Sequence, residues 1–280
     1  MDVSEITSRP VVSPSDLIDL EESLAVPDQS QPLSVWAFRG QPKGFQTLVP
    51  SFQRIFTSKK SVGTAEIIER DLIYAFRTHY AKLPDRTQDM PLPDQIAEGF
   101  DLRCLSVMQH YGVPTRLLDW TSSLWTAVYF ACAGDPGQDA ELWLYDRRVF
   151  WKQDTKPELA ALRWPAQQPP REPDLLSRRG SHLIVELDLK LTPRMREQQA
   201  HHTVSADVFA DHAPLILELA QASADATCFR RVVISSGCKE KALRFLEEHK
   251  GLTASTIFPD VEGLGRFLRW HLDSLVTTLL

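Results

Sequence analysis

The chain has no apolar run approaching the roughly 20 residues needed to cross a bilayer, because its longest hydrophobic stretches are broken by charge or proline. Its opening, MDVSEITSRP, carries acids where a secretory leader has a basic start and an apolar run, so a cytoplasmic location is expected. Basic excess is missing too. With 31 Lys and Arg against 37 Asp and Glu, the formal charge of −6 argues against a general nucleic-acid surface, since affinity for phosphate backbones is built from clustered cations. Arg178-Arg179 and Arg230-Arg231 are local basic spots, and neighbours on a strand would point to opposite faces. Cysteine is scarce: Cys104, Cys132, Cys228 and Cys238 include no close pair of the kind that holds zinc, so reduced, mostly buried thiols and no metal are expected. There is no Gly-rich phosphate fingerprint, no G-x-S-x-G, no H-E-x-x-H and no internal repeat. The commonest sequence routes to a nucleotide fold, a serine hydrolase or a zinc protease are therefore closed.

What is present fits one large α+β domain, since 280 residues with 43% hydrophobic content can bury a substantial core without disulfides. Residues 1–32 hold four prolines and many Ser, Asp and Glu. They read as an N-terminal arm with a short helix over 16–24, suited to a protein partner. Alternation predicts a strand over 33–38, with Arg39-Gly40 at its terminal turn, where a guanidinium could be rigidly mounted or could merely cap the turn. Helical spacing predicts a helix over 64–82 and another after Pro93 that Gly99 weakens. Strands are expected over 140–146, 182–189, 228–236 and 253–258, with a Pro-rich surface loop or insertion over 156–174. Helices are expected over 211–223 and 239–249, and a final one capped by Asp260 with Leu264, Phe267, Leu268 and Leu272 on its inner face. Adjacent His201-His202 read as solvated or hydrogen-bonded rather than metal ligands, because neighbours rarely both reach one ion.

The densest chemistry lies in QHYGVPTRLLDWTSSLWTAVYFA, residues 109–131, a polar loop followed by a helix apolar on nearly every side. Gly112 and Pro114 place His110 and Tyr111 at a helix end, and Thr121, Ser122 or Ser123 can cap the next helix. Arg116 and Asp119 could pair locally. His110, Asp119 and Ser122 could also be drawn as a hydrolytic triad, although one stretch seldom supplies all three members.

Four blocks occur in order: AFRGQP at 37–42, QHYGVPTRLLDWTSS at 109–123 leading to a helix ending AVYFA, PRMREQQA at 193–200 and IFPDVEGL at 257–264. Together they resemble the FRG domain family over roughly residues 33–270, with a domain expected over 33–280. The third block departs from the family where HHTVSAD replaces a glycine and an aromatic residue. The FRG pattern in turn resembles a distant ADP-ribosyltransferase fold. That likeness implies a mixed, mostly antiparallel split sheet with flanking helices, NAD as substrate, and a setting in bacterial defence or toxin systems. Carried over residue by residue, it puts Arg39 in the early-strand role, Thr121 or Ser122 in the hydroxyl role and Glu262 in the carboxylate role. The family carboxylate lies on a strand or loop, whereas Glu262 falls at a helix start, so Glu186 is the fallback.

Physical chemistry supports the same division of labour. Breaking the nicotinamide–ribose bond builds positive charge on the ribose, which a carboxylate such as Glu262 can stabilise. Arg39 or Arg116 can grip a pyrophosphate bidentately. Tyr111, Trp120 and Tyr129 offer stacking faces, with His110 beside them. The expected function is a NAD-binding ADP-ribosyltransferase or NAD-cleaving enzyme. The alternative is a non-catalytic module that recognises a nucleotide, a nucleic-acid end or a protein through the same cleft.

Overall fold

The computed structural model describes residues 6–24, 35–56, 62–83, 90–151, 184–222 and 226–279. The Pro-rich stretch 156–174 and the Arg178-Arg179 pair lie outside the described residues. The strands are β1 (Trp36–Gln41), β2 (Leu117–Thr121), β3 (Ala140–Asp146), β4 (Ile184–Leu187), β5 (Ala200–Ser205) and β6 (Phe229–Ile234). They form one sheet in the order β4-β5-β2-β1-β3-β6. The main helices are α1 (Pro14–Leu24), α2 (Val62–Tyr80), α3 (Asp101–His110), α4 (Leu124–Cys132), α5 (Pro193–Glu197), α6 (His212–Ala222), α7 (Ser236–Phe245) and α8 (Val261–Leu279). The α+β class expected from the sequence is therefore observed. Among the described strands every ladder is antiparallel rather than mixed.

Side-chain alternation divides the sheet between two cores. Phe38, Leu142, Leu144, Val232 and Ile234 meet α4 and α7 on one face. Ala37, Leu118, Trp120, Trp143, Tyr145 and Phe229 meet α6 on the other. A third cluster joins α2 and α3 to Leu117, Val185, Leu187 and Val204. Helix α4 is the central prop. Ser123 caps it by accepting a hydrogen bond from the Thr126 amide at 3.2 Å. Leu124, Ala127, Val128 and Ala131 are buried in the first core, where each larger aliphatic side chain contributes about 1.5–3 kcal/mol by leaving water. The helix packs directly on the β1 backbone at Gly40, where an added Cβ would stand only 1.9 Å from the Ala127 carbonyl oxygen.

The sheet is nearly parted in the middle. β1 pairs with β3 from Trp36 opposite Asp146 to Gln41 opposite Glu141, but it meets β2 only at Phe38 opposite Thr121. Beyond that pair the ladder does not continue to Arg39 and Gly40, which leaves backbone groups of β2 without a strand partner. The candidate site lies in this gap.

Several expectations change. Arg39 and Gly40 lie inside β1, not at a turn, because the pairing with β3 carries the strand through them. The LLDWT part of the central stretch is a strand, not a loop. His201 and His202 are buried in strand β5, so of the two readings, solvated or hydrogen-bonded, the second holds: His202 pairs with Asp119 and His201 with the Gln199 backbone. The predicted strand over 253–258 is instead a helical turn, Ala254–Ile257, where the Thr253 amide donates to the Thr256 hydroxyl at 2.9 Å. Gly99, with φ +89°, breaks the predicted helix after Pro93 into a 3₁₀ turn, Pro93–Ile96, and α3. Leu264, Leu268 and Leu272 of α8 face solvent, while Phe267 packs against the core. The segment read as an N-terminal arm packs along the sheet edge over its described part. Thr7 and Val11 bridge β6, and Val11, Leu17 and Leu24 enter the α4 core.

Candidate functional site

A cleft of about 400 Å³ opens at the parting of β1 and β2, walled by Arg39, Asp119, Thr121, Phe130, Arg194 and Gln198 among others. Arg39 occupies the place a β1 backbone donor would have taken. Its Nη1 donates to the Asp119 carbonyl at 2.7 Å, which satisfies a β2 acceptor left over by the parted ladder. Its Nε is buried and has no hydrogen-bond partner. Burial lowers the Arg39 pKa, the Asp119 charge opposes that, and the Arg54 charge adds to the lowering. An arginine remains cationic through such changes. One donor of the fork is thus fixed on protein, while Nε is enclosed and left unpaired in a residue that lines the cleft.

Asp119 supplies the opposing charge. Gln109 Nε2 donates to its Oδ1 at 2.5 Å, and His202 Nε2 lies 3.3 Å from the same oxygen. Gln109 is oriented in turn by the Thr115 hydroxyl, which donates to its Oε1. The surrounding protein disfavours charge on Asp119, but the hydrogen bond and charge of His202, the charge of Arg39 and the Gln109 amide outweigh it and hold the carboxyl below the usual aspartate range. The cleft therefore presents an ionised carboxylate at neutral pH.

Arg194 closes the far side from α5. Its guanidinium lies 4.2 Å from the centre of the Phe258 ring, and Arg266 of α8 lies 4.5 Å from the same ring. Burial lowers the Arg194 pKa against the charges of Asp260 and Glu262. Gln198 is anchored by donating to the Ile257 carbonyl at 3.2 Å. Two buried polar centres hold the cleft margin. The Lys239 ammonium donates to the carbonyls of Pro42 and Asp135, both at 2.8 Å, of Gln138 at 3.3 Å, and of Gly134, which ties the loop after β1 to the turn after α4. Glu141 accepts from the Phe45 and Gln46 amides at 3.2–3.3 Å, from the Trp143 indole at 3.1 Å and from Arg231 at 3.0 Å.

The residues singled out in the sequence are distributed unevenly about this cleft. Arg39, Thr121 and Trp120 line it. Thr121 has its hydroxyl turned to a local task, accepting from the Ser123 amide at 3.0 Å. The Trp120 ring is core rather than a stacking face, because its indole donates to Thr203 at 2.9 Å and its plane meets Tyr145 edge-on at 4.6 Å. Ser122 is not among the cleft walls; its amide donates to the Gln199 carbonyl at 3.2 Å. Arg116 does not pair with Asp119 and does not reach the cleft. It is buried and forks onto both oxygens of Glu69, through Nε at 2.8 Å and through Nη2, so its charge is spent on α2. His110 and Tyr111 cap α3 outside the cleft walls, their rings edge to face at 4.9 Å. Burial lowers the His110 pKa and the Arg194 charge adds to it, against Asp119 and Asp260, so the imidazole is neutral at pH 7. The imidazole on Asp119 is that of His202, which leaves the sequence-drawn triad of His110, Asp119 and Ser122 unformed.

Tyr129 faces a neighbouring hollow, and Glu262 sits exposed in the first turn of α8, ion-paired with Arg266 at 2.5 Å. Glu262 is outside the cleft walls, although its charge acts on Arg194. The fallback Glu186 is a half-buried residue of the edge strand β4, where its Oε1 takes the Tyr145 hydroxyl at 3.1 Å and Arg147 Nε at 2.6 Å. His201 Nε2 lies 3.2 Å from that oxygen. From the sequence Asp119 reads as locally paired and His202 as a solvated or hydrogen-bonded histidine, and neither Arg194 nor Gln198 stands out. For Arg194 and Gln198 the signal was present in the block PRMREQQA.

Residues 34–140 match the family model of the FRG domain. That span supplies Arg39, Asp119 and Thr121, one wall of the cleft, while Arg194 and Gln198 come from beyond it. No curated protein and no solved structure matches the chain.

Proposed function

We propose that this chain, which carries an FRG domain, binds NAD in the parting between β1 and β2 and cleaves its nicotinamide–ribose bond, passing ADP-ribose to water or to a nucleophilic acceptor. The observation that carries the reading is the buried, unpartnered Nε of Arg39 in a cleft whose other side bears Arg194. In a chain of net charge −6, two guanidinium groups walling one small cleft favour an anionic ligand, and the planar fork suits a pyrophosphate. In the reaction the glycosidic electron pair leaves with nicotinamide, positive charge develops on the ribose, and the incoming nucleophile forms the new bond and loses its proton. In this reading Asp119, held ionised in the wall, stabilises that charge. Glu262 is the second carboxylate to test, since it acts on Arg194 from the start of α8. The cytoplasmic setting and a role in bacterial defence or toxin systems belong to the same proposal.

Isotopically labelled NAD tests it. Wild type is expected to release nicotinamide or transfer label, Arg39→Lys to weaken NAD binding, and Asp119→Asn to lower kcat by about 10²–10³, the usual cost of losing one transition-state electrostatic contact. No nicotinamide release, no label transfer and no thermal stabilisation by NAD would overturn the proposal. A second reading, nucleotide recognition without catalysis, is favoured by the position of Glu262 outside the cleft in its own ion pair. It predicts Arg39-dependent NAD binding with no turnover.

A further inference from the structure

Beside the cleft lies a separate hollow of about 220 Å³, whose walls include Tyr129, Phe130, Phe258, Phe267, Trp270 and Glu247. It shares Phe130 and Ala133 with the cleft, so the two spaces lie back to back. Its volume falls below the roughly 300–1,000 Å³ of pockets that enclose a drug-sized ligand, and the two spaces together fall within that range. The aromatic walls are mutually braced. Phe258 meets Phe130 and Tyr129 at ring distances of 5.9 and 6.4 Å, both edge to face. Arg194 from the cleft side and Arg266 from the hollow side both rest on the Phe258 ring. Set into this largely apolar lining beside Thr253 and Arg266 is the Glu247 carboxylate, which accepts from the Trp270 indole at 3.4 Å.

We infer that this hollow seats a purine base of the nucleotide whose phosphates lie at Arg39 and Arg194, a proposal that rests on the nucleotide reading of the cleft. The volume admits a single bicyclic ring, the aromatic faces suit a flat π-system, and a carboxylate among them accepts hydrogen bonds from an exocyclic amine. Arg266 adds a cation at the border with the phosphates. The division assigns the base to the face formed by α4, α7 and α8, and the sugar-phosphate to the parting of the sheet.

The test compares ADP-ribose with ribose 5-phosphate on the intact chain, by calorimetry and by tryptophan fluorescence. ADP-ribose is expected to bind at least tenfold more tightly and to change the emission of Trp270, with that change absent in Trp270→Phe. Trp270→Leu and Glu247→Gln are expected to lower ADP-ribose affinity about tenfold while leaving ribose 5-phosphate affinity unaltered. A thermal melt of each checks the fold. The conservative Trp270→Phe keeps the fluorescence comparison decisive if either of them unfolds. Binding of both ligands with equal affinity, or ADP-ribose binding that leaves Trp270 emission unchanged, overturns the base site and leaves the cleft reading standing. Failure of both ligands to bind overturns the two together.

Discussion

Replacing Gly40 by alanine should unseat α4 from the sheet. The new Cβ would lie 1.9 Å from the Ala127 carbonyl oxygen and 2.5 Å from the Ala131 amide nitrogen, both helix backbone. Ordinary contact begins at 3.4 Å, so the helix must retreat by about 1.5 Å or β1 must bend by as much. A gap of about 0.5–1 Å already forfeits a quarter to a half of the dispersion attraction between facing atoms. Here it would open under Leu124, Val128 and Ala131, against Phe38, Leu142 and Leu144. Overpacking typically costs about 1–3 kcal/mol, and with backbone on both sides no side chain can rotate away, so a loss of about 3 kcal/mol or more is expected. That is a large share of a domain stability of about 5–15 kcal/mol. Urea denaturation of Gly40→Ala, set against Gly44→Ala whose nearest new contact is a comfortable 3.5 Å, measures it. A Gly40→Ala midpoint matching that of Gly44→Ala would refute the packing argument.

Arg116→Met, which leaves Glu69 buried without its partner, should cost about 3–5 kcal/mol, and Glu69→Leu in the same chain should restore most of it, as chemical denaturation will show. Lys239→Met strips four carbonyls of their donor and should lower the melting temperature and loosen the cleft margin, seen as faster amide exchange over residues 42–47 and 134–138. Burial pulls the His212 pKa down to about 3, with the Arg39 and Arg116 charges adding to it, while an unfolded histidine titrates near 6.5. Between those values the unfolded chain binds the extra proton, so stability falls as pH is lowered through that window; urea midpoints from pH 7 to pH 4 should decline less steeply in His212→Gln. The depressed Asp119 pKa works on the carboxylate side, with stability present above the unfolded value of about 3.9 and lost as pH falls through the folded one. Asp119→Asn should flatten the decline below pH 4.

The sequence was most readable where periodicity and capping agree. The final helix shows this: Asp260 accepts from the Gly263 amide at 2.8 Å and starts α8 as its position predicts. Ser123 does the same for α4. Strands β2 and β5 escaped because they lie inside the sheet, β5 buried throughout and β2 buried at every position but Asp119, so LLDWT and AHHTVS show no clean alternation. Buried polar residues in them are satisfied by distant partners, such as Thr203 with Trp120 and His212, which no local pattern announces. The 253–258 segment carries strand-forming threonine and isoleucine, yet a local side-chain cap turns it helical. At the site, Arg39 and Thr121 were legible from motif position. The pairing of Arg116 with Glu69, 47 residues earlier, and of Asp119 with His202 depends on which helices and strands become neighbours, and spacing alone favoured nearer partners.

The donor that Arg39 lends to the Asp119 carbonyl makes one side chain answerable for two things at once. In most ligand-gripping arginines a truncation leaves an indifferent scaffold behind; here it would leave an unpaired acceptor in the middle of a sheet and a void with the outline of a guanidinium ion. Such a void is itself a binding site for free guanidine. In Arg39→Ala the small cation would restore the sheet contact without the tether, and so separate what the residue does for the fold from what it does for a ligand.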